Sequence, residues 1–206
     1  MVDGTAIDGR VQRRVRNREA VVDAILDLLV EGHEQPTAAL VAERSGVSMR
    51  SIFRLFDDMA SLHRAAIARQ AERVASMLTP LPDDGPTAAR VAALVRNRAA
   101  VLEAISPVRR LAVRLASGSP PVAGELTRSA GVFRGQVEHL FRPELAGADP
   151  TLLDALDLAT SWESWERLRA TQGLDLEGAA AVVSTTVSSL LATRPPRPGA
   201  EPPPPR

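Results

Sequence analysis

Residues 37–56 read Thr-Ala-Ala-Leu-Val-Ala-Glu-Arg-Ser-Gly-Val-Ser-Met-Arg-Ser-Ile-Phe-Arg-Leu-Phe. The spacing predicts two short helices joined by a tight turn at Gly46, the pattern of a DNA-reading helix-turn-helix. Glycine accepts the positive φ that such a turn requires, at no steric cost. Ala42, four positions earlier, is small enough for two steeply crossing helices to touch there. In the second helix Val47, Ile52 and Phe56 form an apolar stripe, which leaves Ser48, Met49, Arg50, Ser51 and Arg54 facing outward. Ser48 is placed to cap that helix, its hydroxyl accepting from a free N–H of the first turn. A plain αα-hairpin inside a bundle would show the same small residue and glycine, so the flanks decide.

Upstream, residues 10–18 read Arg-Val-Gln-Arg-Arg-Val-Arg-Asn-Arg, with five arginines and no acid. The whole chain balances 25 basic against 25 acidic residues, so this local excess is a real asymmetry. It reads as a basic arm set to meet phosphates, which dominate DNA affinity; the bland alternative is a solvated charge run. From Glu19, Val21, Ile25, Leu28 and Leu29 recur at helical spacing and Gly32 follows as a stop, giving a first helix that braces the reading unit. Downstream, Asp58 is a candidate N-cap for a fourth helix that opens at Met59.

A helix ending in Gly, a helix starting at Thr37, the run Ala-Glu-Arg-Ser-Gly-Val-Ser, then Ile-Phe-Arg-Leu-Phe and a capped fourth helix resemble the N-terminal domain of the tetracycline-repressor (TetR) family. The resemblance covers roughly residues 15–65; beyond it only length and helical character agree. It implies an all-α protein with a three-helix DNA-binding domain and a C-terminal helical domain for effector binding and dimerisation. It also implies a homodimer on palindromic double-stranded DNA, its last two helices meeting their symmetry mates as a four-helix bundle. The candidate DNA-binding set is Arg13, Arg14, Arg16, Thr37, Ser48, Met49, Arg50, Ser51, Phe53 and Arg54. Three positions depart from the family pattern: Phe53 stands where members usually carry Tyr, Leu55 where they carry His or Tyr, and Met59 where they carry Lys. With those phosphate donors missing, binding must lean on Arg50, Arg54, the 10–18 segment and backbone N–H groups at helix starts.

At 206 residues with 45% hydrophobic composition the chain can bury a sizeable core as one or two small domains. Cysteine is absent, which rules out disulfides and thiolate metal sites. His33, His63 and His139 are scattered without metal-ligand spacing. No paired catalytic carboxylates, Ser/His/Asp set or glycine-rich phosphate loop is visible, so no enzyme activity, cofactor or metal is expected. No run of eighteen apolar residues and no signal-peptide core appear, and the protein reads as soluble and cytoplasmic. All its basic residues are arginine, from which nothing about mechanism follows.

Domains are expected at 10–57 (helix-turn-helix), 58–193 (helical, effector-binding and dimerising) and 194–206, a proline-rich disordered tail. The second is read as helices near 58–78, 87–104, 107–117, 121–141, 150–171 and 175–193, broken by proline or glycine clusters. With the N-terminal three this makes about nine. Leu156, Val183, Val187 and Leu190 are the candidate dimer stripe, with closure of the chain's own core as the alternative. Trp162 and Trp165 suit core or interface anchors and, alternatively, a ligand-pocket wall with Leu102, Leu115, Phe133 and Val137. The leading expectation is a ligand-responsive, sequence-specific transcriptional regulator, a repressor released by a small apolar effector. The rival is a helical interaction or small-molecule-binding module, or a small enzyme, with an incidental helix-turn-helix.

Overall fold

The computed structural model describes residues 4–78 and 80–193, with side chains from residue 9 onward. The expected tail at 194–206 lies outside the described residues. Within them every regular element is a helix: α1 (Gly4–Val30), α2 (Ala38–Ser45), α3 (Met49–Leu55), α4 (Met59–Ala75), α5 (Thr87–Ala116), α6 (Pro120–Leu140), α7 (Arg142–Leu145), α8 (Thr151–Thr160), α9 (Trp162–Glu166), a π-helical turn at Arg167–Thr171, and α10 (Leu176–Ala192). None of these helices is long and apolar enough to cross a membrane.

By packing, the chain divides into two compact units. The first comprises Met1–Ser76 with Pro107–Gly124, the second Met77–Ser106 with Glu125–Arg206. This grouping places α4 and a later segment with the N-terminal helices, whereas the boundary drawn from sequence at residue 57 follows the motif.

In the first unit α1 is the organising element, and its 27 residues take in the whole basic run. The arm expected ahead of the first helix is therefore its N-terminal half. Nothing separates Arg18 from Glu19: from Arg10 to Val30 there is neither glycine nor proline, and most of the residues are good helix formers. The helix ends in a Schellman turn. Gly32 lies at φ +95°, its N–H bonding to the Leu29 carbonyl at 3.2 Å and the His33 N–H to Leu28 at 3.0 Å. Val21, Ile25, Leu28 and Leu29 are buried as the periodicity predicts, beside Val41, Val47, Ile52, Phe56, Leu62 and Ala66. Asp23 on α1 pairs with Arg73 of α4 at 2.6 Å, and Glu31 with Arg44 of α2 at 2.6 Å.

The second unit holds a core of Leu94, Leu102, Val137, Phe141, Leu152, Leu156, Trp165, Val183 and Val187. Three elements differ from the sequence reading. The break expected at Pro107 is absent: α5 runs through it as one helix of 30 residues. Proline removes only the one N–H that would bond to the Glu103 carbonyl, and the burial of Val101, Leu102, Ile105, Val108 and Leu111 along the same helix outweighs that loss. The expected 150–171 helix is instead interrupted at Ser161, which takes an extended conformation (ψ 160°) and caps α9 by accepting from the Ser164 N–H at 3.2 Å. A short α7 occupies part of the segment read as linker.

Buried charge ties this unit together. Arg90 donates to the Leu140 carbonyl at 2.5 Å and pairs with Glu144, whose carboxylate also accepts from Thr87 at 2.7 Å. Arg98 is wholly buried: it donates to the Gln136 side chain and, at 3.0 Å, to the Phe133 carbonyl, with its guanidinium 4.6 Å from the Phe133 ring centre. Burial pushes its pKa down to about 10, so it stays charged at neutral pH.

Candidate nucleic-acid interface

The local geometry of 37–59 follows from its capping residues. Thr37 caps α2, its hydroxyl accepting from the Leu40 N–H at 3.3 Å, and Gly46 ends the helix at φ +67°. Ser48 caps α3 by accepting from the Ser51 N–H at 3.3 Å, and its hydroxyl also meets that of Ser51 at 3.1 Å. Asp58 and Ser61 form a reciprocal capping box that starts α4. Three helix starts within some twenty residues are thus set by side chains legible in the sequence.

The faces separate as the stripe predicts. Val47, Ile52 and Phe56 are buried, while Met49, Arg50, Phe53 and Arg54 are exposed and Ser51 half-buried. The α3 surface therefore offers two arginines, two apolar side chains and a pair of hydroxyls to whatever meets it. Arg18 on α1 lies over the Phe56 ring at 4.9 Å, at the residue that ends α3.

Three further arginines of α1 lie beside α3. Arg10, Arg13, Arg14 and Asn17 line a cleft of about 380 Å³ together with Ser51, Arg54 and Leu55. Four guanidinium groups and no carboxylate border this space, so its lining is strongly cationic. Arg10 and Asn17 belong to the 10–18 segment read from sequence as a basic arm, though not to the individual candidate set, and Leu55 entered only as a departure from the family pattern; the i, i+3, i+4, i+7 spacing of Arg10, Arg13, Arg14 and Asn17 is the signal that puts them on one helix face. Arg16 is exposed on α1 but does not line the cleft.

The other sequence candidates fall elsewhere. Leu102, Phe133, Val137, Trp162 and Trp165 are all buried in the second unit. Leu115 belongs to the first unit. Each indole is anchored: Trp162 donates to the Ser106 hydroxyl at 2.9 Å and Trp165 to Glu103 at 2.7 Å, which Arg169 also reaches at 2.7 Å from within the π-helical turn. Of the expected dimer stripe, Leu156, Val183 and Val187 are buried within the chain itself and Leu190 is half-buried. Apolar spacing alone cannot tell a stripe that faces its own core from one that faces a partner.

The same architecture occurs in solved proteins. A TetR-family transcriptional regulator from Streptomyces coelicolor superimposes with a TM-score of 0.56 at 20% identity, over 85% of this chain and 79% of the other. The chain has the TetR-family fold. Likewise, a transcriptional regulator from Rhodococcus sp. Rha1 matches this TetR-type fold with a TM-score of 0.68 at 15% identity, over 86% of this chain and 97% of its own. In sequence, uncharacterized HTH-type transcriptional regulators of Mycobacterium tuberculosis (strain H37Rv) and Mycobacterium bovis are 28% identical over 91 residues, 42% of this chain. The match spans 47% of those relatives, about half their length. No protein-family model matches the chain.

Proposed function

We propose that this protein is a sequence-specific DNA-binding regulator of transcription. The observation that carries the reading is the single basic surface formed by α3 and the first half of α1. Arg50 and Arg54 stand exposed on a short helix held from behind by Ile52 and Phe56, and the Arg10–Arg13–Arg14–Arg54 cleft lies beside it. A helix of this width enters the major groove, and the cleft seats a backbone phosphate that sets its register. The kinship with HTH-type transcriptional regulators and the shared fold support the same reading.

A homodimer on a palindromic site belongs to this proposal, because two heads are needed to read half-sites ~34–36 Å apart. So does repression relieved by a small, largely apolar effector held in the second unit near Leu102, Phe133, Val137 and Trp162. Residence in the cytoplasm follows from work on the chromosome. Selection of bound duplexes from a random library tests the central reading: two related half-sites about one helical turn apart are the expected product. A library that emerges unenriched overturns it.

A further inference from the structure

The polar surface of α3 carries two large apolar side chains with no core to join. Met49 and Phe53 are each 50% exposed, one helical turn apart on the same face, and they alternate with the exposed Arg50 and Arg54. Neither arginine pairs with a carboxylate within the described residues. A surface that sets thioether and phenyl groups between two unpaired cations suits a partner that is anionic overall and presents small apolar groups at close intervals. The major groove of DNA is such a partner. Its phosphates meet the cations, and the C5-methyl of thymine is the one apolar group on its base edges. The two side chains lie ~6 Å apart along the helix axis at 1.5 Å per residue, about two base-pair steps.

Building on the DNA-binding reading above, we propose that Met49 and Phe53 read thymine methyl groups, so that each operator half-site carries thymine beside the base contacted by Arg50. Phe53 has no hydroxyl, so it cannot hold a phosphate; its contribution is shape and apolar contact with the groove edge. Arg50 supplies the complementary readout, a bidentate pair with guanine O6 and N7. The expected half-site therefore mixes guanine and thymine, with the thymines up to two steps apart.

The test uses the full-length chain and duplexes selected from a random library. Each thymine of the selected site is replaced in turn by deoxyuridine, which removes the methyl and keeps the pairing, and affinity is read by fluorescence anisotropy. One or two substitutions per half-site should weaken binding roughly fourfold each, the worth of one buried methyl-sized group. Phe53→Ala and Met49→Ala should weaken binding to the thymine duplex yet abolish the thymine–deoxyuridine difference at one position each. Both side chains are half exposed, so the variants should melt like the parent, which separates impaired reading from impaired folding. Indifference to every deoxyuridine, or variants that weaken equally on both duplexes, overturns the assignment while leaving DNA binding intact. Variants with full DNA affinity overturn it too and leave the pair as a protein-docking patch. Failure to enrich any sequence overturns the underlying DNA-binding reading, and the assignment with it.

Discussion

Arg50 and Arg54 are the same residue type one turn apart on one helix, yet their surroundings separate them. Arg54 lines the cleft with the α1 arginines, where the proposed DNA complex would seat a phosphate, whereas Arg50 does not and sits in the first turn of α3, the end that would enter a groove. Arg50→Ala should therefore cost about 1–3 kcal/mol per half-site on a selected operator and relax preference at one base position. Arg54→Ala should lower affinity for operator and random duplex by equal factors. Anisotropy titrations against both duplexes check this, and equal losses for Arg50→Ala would make it a phosphate-binding residue. Glu144 illustrates the opposite case, a charge read as linker in sequence and buried in the fold. Burial disfavours its ionised form, but hydrogen bonds from Arg90 and Thr87 outweigh that and hold its carboxyl below the ordinary 4.5. A carboxyl with a depressed folded pKa adds stability that is present above the ordinary value and lost as pH falls through the folded one. Thermal stability should accordingly drop in acid below about pH 4.5, and less steeply in Glu144→Gln. Glu144→Ala should destabilise by ~3–5 kcal/mol at neutral pH because it strands Arg90 as a buried cation, and joining it with Arg90→Met should recover most of the loss.

At the level of elements, the continuity of α1 changes what its arginines can do. A disordered arm would trail along whatever phosphates it met; a helix presents Arg10, Arg13 and Arg14 along one edge, at fixed distance from Arg54. Replacing those three α1 arginines by glutamine should flatten the dependence of log affinity on log salt by up to ~0.9 for each phosphate that is no longer neutralised. The change should be alike on operator and random DNA, and a slope identical to the parent's would show the cleft to be unoccupied in the complex. Glutamine is chosen because it favours helix nearly as well as arginine, so the helix itself should persist in circular dichroism. At its far end the Schellman turn at Gly32 and the bond between Glu31 and Arg44 tie α1 to α2.

For the molecule as a whole, the proposed homodimer needs a surface outside the chain's own core, and burial redirects the sequence reading. Val187 is wholly buried within the chain, so an arginine there should unfold the protein rather than simply separate two copies. In the proposed dimer a second copy would pack on the exposed apolar side chains of α8 and α10, where Leu158 is 66% and Val182 41% exposed. From Gly178 to Thr193 this helix carries no charged residue on either face, an unusual surface for a helix that meets only water. Val182→Glu and Leu158→Glu should yield folded monomers in analytical ultracentrifugation, with a sharp loss of operator affinity because only paired heads engage two half-sites. Dimers of undiminished stability in both variants would place the interface elsewhere.

Local chemistry made the reading head legible. Thr37, Gly46, Ser48 and Asp58 act on atoms three or four residues away, so their roles follow from position in the chain alone, and the buried stripe of Val47, Ile52 and Phe56 follows from helical period. The all-helical class was legible for the same reason. What needed the tertiary structure was every question of which neighbour a side chain meets. Periodicity located the apolar face of α10 without saying whether core or partner covers it. Pro107 predicts a break, yet it costs the helix one bond only, and the burial of Leu102, Ile105, Val108 and Leu111 around it carries the helix through. The pairing of Arg90 with Glu144, 54 residues apart, has no sequence signal, because a buried ion pair is set by where two distant backbones are brought together rather than by anything either residue does locally.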